Sequence, residues 1–184
     1  MRPDVFPVLA DLTEVRGRAE VARAHGRRGI PSLEFGGELV IVLVTQDGAS
    51  LTWVDEAAFE TLPPDAFPRA IDNLRARTQK PLRLTRCSSP KVGVWVVGED
   101  DGLGSGRLLL RDLWAPIRAK MPGNLLVRVP TRSTVLCSMD RPADIAFAEH
   151  LAQQLTATAQ KKGAPTVSKD WLIWTPDGWA AREP

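Results

Sequence analysis

Residues 39–54 read LVIVLVTQDGASLTWV. Leu39–Val44 is apolar without interruption and largely β-branched, the pattern of a strand covered on both faces. Asp47-Gly48 follows, a dipeptide suited to the positive φ of a tight hairpin turn, and Leu51–Val54 returns as a second strand. A hairpin of this kind makes its two strands antiparallel neighbours.

Working outward, residues 9–28, LADLTEVRGRAEVARAHGRR, are rich in helix formers and predict an N-terminal helix within residues 1–30. Thr13 stands in a capping position, Arg16, Arg18, Glu20 and Arg23 form a charged face, and Gly29-Ile30-Pro31 ends the element. Downstream, PPDAFPRAIDNLRARTQ places Phe67, Ile71 and Leu74 at helical spacing, with Asp65 at the start and arginines near the end. Pro68 confines where that helix can begin.

PLRLTRC and VGVWVV then read as strands, as do LLVRVP and STVLCSM around Pro130-Thr131-Arg132. Between these pairs, RLLLRDLWAPIRAKM is ambiguous, compatible with a strand that continues as a short helix. ADIAFAEHLAQQLTATAQKK sets Ile145, Ala148, Leu151 and Leu155 on one helical face, and Lys161-Lys162-Gly163 closes it. Residues 165–184 end in a hairpin turned by Pro176-Asp177-Gly178. KKGAPTVS, at 161–168, is the most flexible connection. The expectation is one α+β domain over 1–184, a mixed, mainly antiparallel sheet with about three to four helices. It is arranged as a single layer or as two related strand-pair and helix units.

Composition narrows the function. The chain has 184 residues, 43% hydrophobic and 25% charged, enough for a core without metals or disulfides. Its two cysteines, Cys87 and Cys137, read as reduced structural thiols. Net charge is +2 with no basic stripe, so no nucleic-acid partner is expected. LVIVLV is too short to span a bilayer and MRPDVFPVLADLTEVRG is not a signal peptide, so no membrane association and a cytoplasmic location are expected. His25 and His150 lack partners at ligand spacing, and neither a metal nor a cofactor is predicted.

Residues 98–107, GEDDGLGSGR, are the one stretch suggesting chemistry. Asp100 and Asp101 could hold Mg²⁺ or Ca²⁺, and the glycines could admit a phosphate. The stretch has neither the spacing of a calcium loop nor the Gly-Lys-Ser/Thr of a P-loop, and it reads as a turn. Ser88, Ser89 and Ser105 lack a nucleophile-elbow motif, so no residue is assigned a catalytic role.

Six tryptophans and no tyrosine set the chain apart. Trp53, Trp95 and Trp114 fall in core elements. Trp171, Trp174 and Trp179 crowd into the last hairpin, where alternation puts Trp171 and Trp174 on opposite faces. A partner surface is therefore expected at Trp171 and Trp174 together with Arg107, Arg111 and Arg118.

Four phrases together resemble the YtpQ-like family of bacterial proteins: ELVIVLVTQDGASLTWVDEAAFETL, AFPRAIDNLRART, DGLGSGRLLLRDLW and PADIAFAEHLAQQL. The resemblance runs over most of the chain after about Leu33. Its most specific words are Ala70, Asn73 and Leu74, then Asp101-Gly102 followed by Ser105, Arg107 and Leu108-Leu109. Leu103 stands where the family places an aromatic, and Gly106 replaces a small side chain. The resemblance implies a soluble bacterial α+β protein and brings no activity with it. It also suggests that Asp101 and Arg107 pair to fix the turn before the leucine run.

The function expected is a non-catalytic protein-binding module, such as an adaptor, a chaperone-like module or an immunity protein. The alternative is a metal-assisted hydrolase or phosphoryl-handling enzyme built on residues 98–107.

Overall fold

Two antiparallel sheets, rather than a single layer, organise the computed structural model, which describes residues 4–48, 50–87, 92–97 and 101–182. The first sheet is built around β3 (Leu39–Asp47), flanked on one side by β1 (Val5–Asp11). On its other side β2 (Ser32–Gly36) pairs the beginning of β3 and β4 (Ser50–Trp53) pairs its end. The hairpin register runs Asp47↔Ser50 to Val44↔Trp53, with Gly48 at φ +57°. β3 is covered on both faces: Val40, Val42 and Val44 pack with Phe6, Val8 and Ala10, while Leu39 and Leu43 face separate clusters.

The second sheet has the order β10-β9-β7-β8-β6-β5. Its strands are β5 (Leu84–Arg86), β6 (Val94–Val97), β7 (Leu125–Thr131), β8 (Thr134–Met139), β9 (Trp171–Thr175) and β10 (Gly178–Ala181). The helices are α1 (Leu12–Ala24), α2 (Glu56–Phe59), α3 (Ala66–Arg77), α4 (Arg111–Lys120) and α5 (Pro142–Lys161). A 3₁₀ segment spans Gly104–Leu109. α5 packs on one face of the second sheet through small side chains, Ala148, Ala152 and Ala159, which are buried while Ile145, Leu151 and Leu155 are only half-buried. Among the described residues no helix is long and apolar enough to cross a membrane.

Two expectations are corrected. The N-terminal region begins with a strand: VFPVLAD is β1, and the helix starts only at Leu12. Its cap is Asp11 rather than Thr13, the Asp11 carboxylate accepting from the Thr13 and Glu14 N–H groups at 2.7 and 3.1 Å. Pro7 disguises the strand, yet it suits an edge strand, because an outward-facing position has no ladder bond to lose. The leucine run 108–110 is also not a strand. Leu108 and Leu109 complete the 3₁₀ turns and Leu110 leads into α4.

That 3₁₀ segment lies where the sheets meet. The Ser105 N–H donates to the Arg132 carbonyl at 2.8 Å in the β7–β8 turn, and the Leu9 N–H of β1 donates to Ser105 Oγ at 3.1 Å. A Cβ on Gly104 would stand 2.1 Å from the Ser133 carbonyl oxygen, and one on Gly106 2.1 Å from that of Pro7. Backbone therefore touches backbone on both sides. Gly106→Ala is expected to lose at least about 2 kcal/mol in urea unfolding through overpacking. Gly17→Ala, in open space on α1, is expected to gain up to about 1 kcal/mol from helix propensity.

Candidate functional site

The turn that begins at Asp101 is closed on itself. The Arg107 guanidinium, 1% exposed, meets the Asp101 carboxylate end-on, Nη1 to Oδ1 at 2.9 Å and Nη2 to Oδ2 at 2.6 Å. Asp101 Oδ1 also accepts from the Leu103 N–H at 3.0 Å, and Gln46 Nε2 donates to the Asp101 carbonyl at 3.1 Å. Two indoles cover the far end, Trp114 Nε1 donating to the Arg107 carbonyl at 2.8 Å and Trp179 Nε1 to that of Leu108 at 3.0 Å. Burial pushes the Asp101 carboxyl up, but the hydrogen bonds and charge of Arg107 and the Leu103 N–H outweigh it, so the group titrates below its ordinary value.

Asn73, Leu74 and Ser105, singled out in the sequence, gather here. Asn73 Nδ2 donates to the Val5 carbonyl at 3.0 Å, Ser105 takes the Leu9 N–H, and Leu74 sits beneath Gly106. Asn73 and Ser105 thus pair two peptide groups on the outer edge of β1, the Val5 carbonyl and the Leu9 N–H. Both oxygens of Asp101 are committed to this network. Asp100, Ser88 and Ser89 lie outside the described residues.

The expected partner surface is not one surface. Arg107 is buried and cannot meet a partner, because its charge is held inside by Asp101. Trp171 and Trp174 occupy opposite faces of β9. Trp171, 8% exposed, packs in the cluster beneath α5 and donates to Glu149 Oε1 at 3.3 Å. Trp174 is half-buried edge-on against Trp179, their centroids 5.0 Å apart, with the Arg111 guanidinium 5.8 Å above its ring. Arg111 is exposed, and its Nη2 donates to the Pro176 carbonyl at 2.8 Å, fastening α4 to the hairpin. Arg118, two turns along α4, donates to the Met121 carbonyl at 3.1 Å.

Among the described residues no three His, Cys, Asp or Glu side chains gather as a metal-binding group. His25 Nδ1 is 2.8 Å from the Val21 carbonyl, and His150 Nε2 is 2.9 Å from the Gln154 amide. Burial pushes both cysteine thiols up, Cys137 in the core and Cys87 at its margin. Asp144, overlooked in the sequence, is buried at the start of α5; it accepts from the Gly93 N–H at 2.9 Å and from Arg141 Nε at 2.5 Å. It ties that helix to the segment entering β6.

An open apolar groove of about 580 Å³ lies on the other flank of α4. α4 and the residue after it supply Leu113, Ile117 and Met121, spaced four apart on one helical face, with Pro116 beside them. Leu82 comes from the approach to β5, Leu84 from β5 itself, Trp95 from β6 and Met139 from β8. Trp114 turns into the core, while Leu113, Ile117 and Trp95 stay half-buried. α4 ends at Lys120, and the groove runs between this helix and the β5–β6 margin of the sheet. The four-residue spacing was the signal available in the sequence. A polar cleft of about 670 Å³ lies between the start of α1 and residues 164–170; Asp11, which lines it, is engaged as the α1 cap.

Comparison with family models, with curated proteins and with solved structures finds no match to the chain.

Asp101→Asn leaves the Arg107 guanidinium buried without its counter-charge and is expected to cost about 3 kcal/mol at neutral pH. Because the folded carboxyl titrates below its ordinary 3.8, the pair stabilises fully above that value and is lost as pH falls through the folded value. Urea midpoints measured from pH 6 down to pH 3 should therefore fall for the native chain, and Asp101→Asn should lack that component.

Proposed function

We propose that the chain is a non-catalytic protein-binding module that docks its partner in the groove between α4 and the β5–β6 margin. The observation that carries this reading is the open apolar lining, with Trp95, Leu113 and Ile117 half-buried beside Met121 and Met139. Tryptophan anchors are enriched at interfaces, and methionine adapts its shape to a partner. The 98–107 stretch offers less to an enzyme, since the Asp101 carboxylate is spent on Arg107 and the Leu103 N–H. Membership of the YtpQ-like family is part of the same proposal. On this reading its most specific words describe how β1 is held, while binding occurs elsewhere.

The test is affinity capture from the native lysate with three baits: the native chain, Ile117→Glu and Val21→Glu. Val21 is 62% exposed on α1, away from the groove lining, and serves as the control. A protein retained stoichiometrically by the native and Val21→Glu baits but lost from a folded Ile117→Glu bait is expected. Retention that ignores Ile117→Glu, or no retained protein, would contradict the reading.

A further inference from the structure

We infer that the segment received by the α4–β5 groove is acidic as well as apolar, an inference that rests on reading this groove as a docking surface. Lys120 lines the groove directly, and Lys80 and Arg83 are neighbours in sequence of the lining residues Pro81, Leu82 and Leu84. All three cations are exposed, and none makes an ion pair among the described residues.

The opposing charges are accounted for. The one carboxylate in the lining, Asp112, is held by Arg75 Nη1 at 2.5 Å. The carbonyl end of α4 would contribute partial negative charge, but Arg118 donates into it at Met121. Among the described residues, the uncompensated charge beside the groove is therefore positive.

An apolar floor with a cationic margin recognises a segment whose hydrophobic side chains alternate with Asp or Glu. The apolar contacts hold it, while the charges choose among candidates and raise the rate of encounter. A basic segment is disfavoured by the same charges. A nucleic acid would satisfy the cations but would leave Trp95, Ile117 and Met139 facing a sugar-phosphate backbone with little apolar surface.

The test pans a library of random linear peptides on the full chain, then measures the enriched peptides by fluorescence polarisation. The targets are the native chain, Ile117→Glu, and a charge-reversed Lys80→Glu/Arg83→Glu/Lys120→Glu variant, each checked for an unchanged melting profile. Peptides rich in both apolar and acidic residues should dominate. They should lose binding to Ile117→Glu and weaken on the order of tenfold against the charge-reversed variant, since three exposed ion pairs compound to about that factor. Raising the salt should weaken them in the same direction.

Peptides that depend on Ile117 yet are neutral or basic, and indifferent to charge reversal, would overturn this inference and leave the docking reading standing. Absence of any Ile117-dependent peptide would overturn both. Displacement of the acidic peptides by a single-stranded oligonucleotide at equal charge concentration would assign the cations to nucleic acid and overturn the inference.

Discussion

A guanidinium inside a protein must find a carboxylate, and the Arg107–Asp101 pair is the constraint around which the rest of this molecule is arranged. Arg107 is 1% exposed, and its two terminal nitrogens lie 2.9 and 2.6 Å from the two Asp101 oxygens. Such a fork fixes direction as well as distance. With both ends of the turn held, Gly104 and Gly106 can sit against backbone carbonyls from two different sheets, and Ser105 bonds to both. The pair's net stabilisation need not be large, because desolvating the ions offsets much of their attraction. Removing one partner is what costs.

The position of α4 follows from the same turn. The helix begins at Arg111, directly after the 3₁₀ segment, and Trp114 anchors its first turns by bonding back to the Arg107 carbonyl. One flank is fastened to the C-terminal hairpin through Arg111 and the edge-to-face contact of Trp114 with Trp179. The other flank is left with Leu113 and Ile117 beside the sheet margin. Asp101 and Arg107 thus position a helix, and the apolar groove lies along the flank of that helix away from the hairpin.

The β3–β4 hairpin, α3, α5 and the tail hairpin were legible because each depends on local periodicity and turn chemistry. β1 was not, since Pro7 breaks the familiar pattern and its strand conformation depends on β3, about thirty residues away in sequence. The leucines at 108–110 were ambiguous for a related reason: a short apolar run fits a strand and a buried 3₁₀ turn equally well. Arg107 looked like a surface residue when considered alone, and only its relation to Asp101 marked it as internal. The groove was the least legible feature. It needs β6 to pair with β8, a long-range choice that no local turn dictates.

The central claim, that one buried ion pair couples the two sheets, is tested most directly by native-state hydrogen exchange on the native chain and Asp101→Asn. Val42 reports on the first sheet and Leu136 on the second. If the turn fastens both, the opening free energies at these two amides should fall together and by the same amount, as parts of one cooperative unit. A loss confined to one sheet, or to amides of the 3₁₀ segment alone, would contradict it.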